Sequence, residues 1–164
     1  MFFALWPDEA TRAALAKATR RAVRAAGGRP TRTDNLHITV AFLGALTPVE
    51  LDSASGVPPI ETGPFEITLD MLGHWPRPKI LWFAPAHKPE PLISLERLLW
   101  DGLAEQGFER DRKLFAPHVT LCRRSRAVNE AVKPVRWPVE RLALVESVSC
   151  DRGVRYEPIQ HWPI

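Results

Sequence analysis

Two short stretches constrain this chain more than anything else in it. Residues 35–44 read Asn-Leu-His-Ile-Thr-Val-Ala-Phe-Leu-Gly, and residues 115–123 read Phe-Ala-Pro-His-Val-Thr-Leu-Cys-Arg. Each is a mainly apolar run interrupted by a histidine and, two places on, by a threonine. Side chains alternate between the faces of a strand. His37 and Thr39 therefore share one face, and Leu36, Ile38, Val40 and Phe42 the other. The same parity groups His118 with Thr120 and turns Val119 and Leu121 toward a core. Burying one face of a sheet does not require the polar pairs. Their repetition predicts two equivalent strands that bring two imidazoles and two hydroxyls to one place.

The segments around the two copies also correspond. The start, Met-Phe-Phe-Ala-Leu-Trp-Pro, reads as a strand, and Pro7-Asp8-Glu9 end its apolar run before a signal-peptide cleavage site. Asp8 is a candidate N-cap for a helix over 9–26, with Leu15, Ala18, Ala22 and Ala26 on one stripe and Gly27-Gly28 as the stop. A second helix is predicted over 90–106, where Leu92, Leu95, Leu98, Leu99 and Leu103 recur at helical spacing before Gly107. Residues 65–75 and 79–86 read as strands joined by a Pro-rich turn. Thr47 and Pro48 open a short helix that dissolves into Ser, Gly and Pro. The tail offers a strand over 139–150, a turn near Asp151-Arg152-Gly153 and a last strand around 155–162. The order predicts an α+β fold with a bilobal duplicated unit, two antiparallel sheets flanking a central groove and helices on the outside. All 164 residues are expected to form one domain.

Composition excludes several classes. The chain is 45% hydrophobic and 25% charged, ordinary for a globular protein, and no apolar run approaches the roughly 18 residues of a membrane span. No glycine-rich phosphate loop occurs. Cys122 and Cys150 lack metal-ligand spacing and read as two buried thiols. Neither histidine has a carboxylate or second histidine at ligand spacing, so no metal and no cofactor is implied. The expected setting is cytoplasmic, and the expected state monomeric. The net charge of +3 suits an anionic ligand.

The chemistry that fits two imidazoles and two hydroxyls is phosphoryl transfer. Imidazole has an ordinary pKa of about 6.5 and exchanges protons near neutrality. Two of them on opposite sides of one phosphorus serve as acid and base, and threonine hydroxyls donate to non-bridging oxygens.

In these residues the chain resembles the 2H phosphoesterases, named for two His-x-Thr-x motifs, and within them the LigT-like bacterial RNA 2′,3′-cyclic phosphodiesterases, also called 2′-5′ RNA ligases. The opening strand, both motifs, Pro-Lys-Ile-Leu-Trp-Phe at 78–83 and the close at 144–164 carry the resemblance. It implies hydrolysis of an RNA terminal 2′,3′-cyclic phosphate to a 2′-phosphate. His37 would be the proton donor to the leaving oxygen and His118 the proton acceptor, with Thr39 and Thr120 on the phosphate. The implied partner is an RNA 3′ end or nucleotide bearing the cyclic phosphate. Two alternatives stay open: the reverse reaction, a 2′-5′ ligation, and a nucleotide-binding module without catalysis.

Around that site, strand parity favours Arg124 as a further phosphate ligand, whereas the resemblance favours Arg123; a bulge would exchange their faces. Phe115 and Tyr156 are candidates to hold a base or ribose. Phe42 is assigned to the core by parity. The six tryptophans read as core or packing residues, and His74, His87 and His161 as structural or surface histidines. Arg110, Arg112 and Lys113 form a basic loop ahead of the second motif.

Overall fold

Helix α1 begins where sequence chemistry places it. The Asp8 carboxylate accepts the Thr11 amide hydrogen bond at 2.7 Å, and the helix runs over Glu9–Ala26. Preceding it is β1 (Phe2–Leu5), all four residues buried. After it come β2 (Arg29–Pro30), a 3₁₀ turn at Thr33–Asn35, β3 (Ile38–Phe42), α2 (Pro48–Ser55), β4 (Phe65–Leu69), β5 (Met71–Trp75) and β6 (Ile80–Ala84). The chain continues through α3 (Glu90–Glu105), β7 (Val119–Arg123), β8 (Val135–Val139), β9 (Arg141–Cys150) and β10 (Gly153–Pro163). This computed structural model describes residues 1–110, 113–150 and 153–164. The anticipated turn residues Asp151 and Arg152, and Arg112 of the basic loop, lie outside the described residues.

The α+β class and the two antiparallel sheets are as expected. The larger sheet has the order β10-β9-β1-β3-β7-β6-β5 with β2 added on β7, and the smaller pairs β4 with β8. The two motif strands are neighbours, joined by a single registered pair, Ile38 with Val119. Extending that register one residue each way sets His37 opposite Thr120 and Thr39 opposite His118. The seam between the halves of the large sheet is thus where the polar residues converge.

The main core lies on the opposite face. It gathers Leu15 and Ala22 of α1, Leu92, Leu95 and Leu99 of α3, Ile38, Val40, Val119 and Leu121 of the motif strands, and Trp137 of β8. Burying a Leu or Ile side chain contributes about 1.5–3 kcal/mol, so this cluster holds the motif strands against both helices. A second, smaller cluster of Phe2, Ala4, Ala143 and Val145, with Trp6 and Tyr156 against it, lies on the other face of β1 and β9. Among the described residues no helix is long and apolar enough to cross a membrane.

Two readings of the sequence need correction, and one strand, β8, is not predicted by it. Residues 65–75 are two strands, not one: β4 pairs β8, whereas β5 pairs β6. Asp70 is the pivot, its amide bonding the Ala84 carbonyl and its carboxylate taking the Ala86 amide at 2.7 Å. Strand β8 carries Pro138, which discourages a strand reading; it is tolerated because β8 pairs only with β4. Cys122 is buried, its thiol donating to the Gly27 carbonyl, but Cys150 is exposed.

Candidate active site

The backbone of the two motif strands departs from simple alternation at the same place in each. In β3, Ala4 of β1 pairs with Thr39 and Phe3 with Ala41, so Val40 is skipped. In β7, Trp82 of β6 pairs with Thr120 and Leu81 with Cys122, so Leu121 is skipped. Each skipped residue is a β-bulge, which puts two consecutive side chains on the core side and shifts the parity of the residues beyond it. Val40 and Ala41 are both buried, as are Leu121 and Cys122. The fifth residue after each histidine therefore returns to the motif's polar face. In one strand that residue is Phe42, in the other Arg123.

This settles where two predicted residues lie. Arg123 lines the cavity with His37, Thr39, His118 and Thr120. Arg124, at φ 55°, turns away at the end of β7 and lines a different cavity. Phe42 is not core: it is 70% exposed and lines the first cavity. Tyr156 lines it too, whereas Phe115 packs against the main core away from it. Of the basic loop, Arg110 is committed to Glu96 at 2.6 Å.

The cavity is about 660 Å³. Both histidines enter it in the same chemical state. His37 Nδ1 lies 2.6 Å from the Asn35 carbonyl, and His118 Nδ1 lies 2.7 Å from the Ala116 carbonyl. A carbonyl only accepts, so Nδ1 carries the hydrogen in both rings and Nε2 is the nitrogen that exchanges a proton. In neutral His37 that nitrogen accepts from the Thr39 hydroxyl at 3.1 Å.

The surroundings of the two rings differ. His37 is stacked on Phe2 at 4.9 Å and on Trp6 at 5.7 Å, with Tyr156 edge-on at 5.1 Å. This apolar enclosure disfavours the charged ring and pushes its pKa down to about 4. Among the described residues the ring contact of His118 is with Trp75, edge-on at 4.6 Å. Burial lowers its pKa as well. The Arg123 charge lowers both, so this guanidinium acts on the two imidazoles together.

Sequence reasoning missed several contributors. Asn35 opens the first motif and is buried. Its side chain donates to the Val154 carbonyl at 2.8 Å and accepts from the Tyr156 amide at 3.1 Å. It thus ties β10 to the segment whose carbonyl orients His37. Arg29 and Arg32 also line the cavity. Arg29 is registered against Arg123, and Gly153 at the start of β10 lies against it: a Cβ there, φ +118°, would meet the Arg29 guanidinium at 2.2 Å. Trp6 and Trp75, read as packing residues, are the walls behind the two histidines. The repeat gave a signal for the bulges, because both copies hold apolar residues at the third and fourth places after the histidine, Val40-Ala41 and Leu121-Cys122.

The chain is similar to known proteins in sequence and in fold. A family model described as the 2′-5′ RNA ligase superfamily matches residues 7–149. The chain is 33% identical to the RNA 2′,3′-cyclic phosphodiesterase of Escherichia coli (strain K12) over 84% of its own length and 80% of that protein's. It is 34% identical to the protein of the same name from Thermus thermophilus, over its full length and 89% of the relative's. In three dimensions it is similar to the crystal structure of E. coli LigT complexed with 3′-AMP, with a TM-score of 0.87, 29% identity, and coverage of 99% of this chain and 96% of that one.

Proposed function

The chain belongs to the 2′-5′ RNA ligase superfamily of 2H phosphoesterases, and from that premise we propose that it hydrolyses the 2′,3′-cyclic phosphate at an RNA 3′ end to a 2′-phosphate. The observation that carries the reading is the matched state of the two rings. Each gives Nδ1 to a carbonyl two residues back and keeps Nε2 for proton exchange, in one cavity with two threonines and Arg123.

His118 Nε2 takes a proton from water as the water oxygen attacks phosphorus. The bond from phosphorus to the 3′-oxygen breaks, and His37, as imidazolium, gives its Nε2 proton to that oxygen. A 2′-phosphate and a 3′-hydroxyl result. The proton gained by His118 and the one lost by His37 are then rebalanced through solvent. Each transfer is worth about 10²–10⁴-fold.

Burial holds His37 neutral, with its pKa near 4, so the acid has to be charged by the substrate itself. A phosphodiester anion beside the ring favours imidazolium. Thr39, Thr120 and Arg123 supply donors to the non-bridging oxygens, where charge accumulates. Arg29, the registered neighbour of Arg123, adds a second guanidinium on the same side. Phe42, exposed in the cavity, and Tyr156 offer ring faces to the terminal base.

The test is product identification. The protein is incubated, with EDTA present, with an RNA oligomer ending in a 2′,3′-cyclic phosphate and a second oligomer carrying a 5′-hydroxyl. Water is far more concentrated than any RNA end, so the expected product is the 2′-phosphorylated oligomer, with joined product a small minority. An unchanged oligomer, or a 3′-phosphate product, refutes the proposal.

A further inference from the structure

The second cavity, about 710 Å³, lies beyond the end of β7, between the β5–β6 turn and the segment after Arg123. Lys79, Arg124, Arg126 and His74 line it, and among the described residues no carboxylate does. Neither Lys79 nor Arg124 has an ion-pair partner among the described residues. Ile80 is registered against Arg123, so Lys79 and Arg124 face each other one step past the last pair. Like charges placed opposite one another across a sheet are unfavourable.

The backbone there is also held against its preference. Lys79 and Arg124 are the non-glycine residues with positive φ, 63° and 55°. Such conformations persist where the surroundings enforce them and cluster at ligand sites. The enforcing contacts are visible. Ser125, itself buried, gives both its amide and its hydroxyl to the Lys79 carbonyl, at 3.1 and 3.2 Å. His74 Nε2 sits 3.1 Å from the Ser125 carbonyl. Arg126 is anchored to the end of α1 through its amide to Ala26 and its Nε to Ala25. The backbone of two residues with no ion-pair partner among the described residues is thus held in a conformation that glycine would adopt freely.

We propose that this cavity is a second phosphate-binding site, which holds the backbone of the RNA strand leading to the cyclic end. Continuity identifies the ligand. Arg123 lines the first cavity and its chain neighbour Arg124 the second, so the two cavities are lined by adjacent cationic residues at the end of β7. A polyanion that begins between the histidines and continues past Arg123 meets Lys79 and Arg124 next. The inference rests on the proposed function, since it takes the first cavity as the place of the RNA terminus.

The test compares two substrates, a 2′,3′-cyclic mononucleotide and an RNA oligomer with the same terminal nucleotide. The variants are Lys79→Gly with Arg124→Gly together, and Arg124→Lys alone. Glycine accepts positive φ without steric cost, so the double variant should fold, and its mononucleotide kinetics report that it has. The expected result is an oligomer KM raised about tenfold with kcat and mononucleotide turnover unchanged. The slope of log kcat/KM against log salt should fall by about 0.7 for each phosphate the double variant no longer neutralises. Arg124→Lys, which keeps the charge, should stay near wild type. An oligomer KM that does not rise, or a wild type with no preference for the oligomer, overturns the proposal. Should wild type turn over neither substrate, the proposed activity falls, and oligomer binding by fluorescence anisotropy decides this site: weaker binding by the double variant supports it, equal binding overturns it.

Discussion

The halves of the cavity are built on the same strand and finished differently. His37 and His118 share a carbonyl partner two residues back, a threonine two residues on and a bulge one residue later. At the fifth residue after the histidine the likeness ends, with Phe42 on one side and Arg123 on the other. The enclosure differs as well. His37 is wrapped by Phe2, Trp6 and Tyr156, whereas among the described residues one ring, Trp75, packs on His118. The shared backbone supplies two proton-exchanging nitrogens. The unshared side chains make the two halves of the cavity chemically unlike, and in the proposed function that difference orients a nucleotide in an otherwise two-fold arrangement.

Replacing the residues at those unlike positions is the harshest way to break this comparison. Arg123→Gln removes a charge that acts where phosphate charge develops, and kcat should fall by about 10²–10³-fold. Phe42→Ala should leave kcat near wild type and raise KM by about 5–150-fold, the loss of one stacked base at roughly 1–3 kcal/mol. Steady-state kinetics on one oligomer separates the two. Equal effects on KM from both variants would mean that the ends of the cavity are not specialised.

The pH profile sharpens the same contrast. Burial lowers both imidazole pKa values below the ordinary 6.5, His37 to about 4. In the proposed mechanism the productive free form carries a proton on His37 and none on His118. Raising the pH through these depressed values removes that proton, so kcat/KM should fall about tenfold per unit above pH ~6.5. The kcat profile should lie to the alkaline side of it, because bound phosphate favours the imidazolium. A kcat/KM flat from pH 6 to 9 would contradict the assignment.

A smaller effect is expected behind His118. Gly73 is registered against Trp82, and a Cβ there would meet the indole at 2.1 Å. Trp82 packs on Trp75, which holds the His118 ring. Gly73→Ala should cost about 1–3 kcal/mol of stability by overpacking, read by thermal or urea unfolding, together with a modest loss of kcat. An unchanged unfolding midpoint would show that Trp82 relaxes freely and supports nothing.

Much of this was legible in the sequence because its causes are local. Helix α1 follows from Asp8, the stripe through Leu15 and Ala22, and the glycines after Ala26. The α2 start follows from Thr47, whose hydroxyl and amide form a capping box with Glu50. The histidine–threonine pairs follow from alternation over two residues. The features that were not legible depend on partners far away in sequence. The bulges at Val40 and Leu121 are properties of pairing with β1 and β6, and without them parity puts Phe42 in the core and Arg124 in the site. The break at Asp70 depends on which strands β4 and β5 join. Asn35, Trp6 and Trp75 gain their roles only when β10, β3 and β7 are brought alongside.

The division of labour between the histidines is the central claim, and a substrate that needs no acid tests it most directly. In a cyclic phosphate whose 3′-bridging oxygen is replaced by sulfur, the leaving group departs as a thiolate, stable without a proton near neutral pH. Rates of wild type, His37→Ala and His118→Ala would be measured on this substrate and on the oxygen form. The account predicts that both variants fail on oxygen and that sulfur restores His37→Ala toward wild type while His118→Ala stays slow. Restoration of His118→Ala instead, or of neither variant, would contradict it.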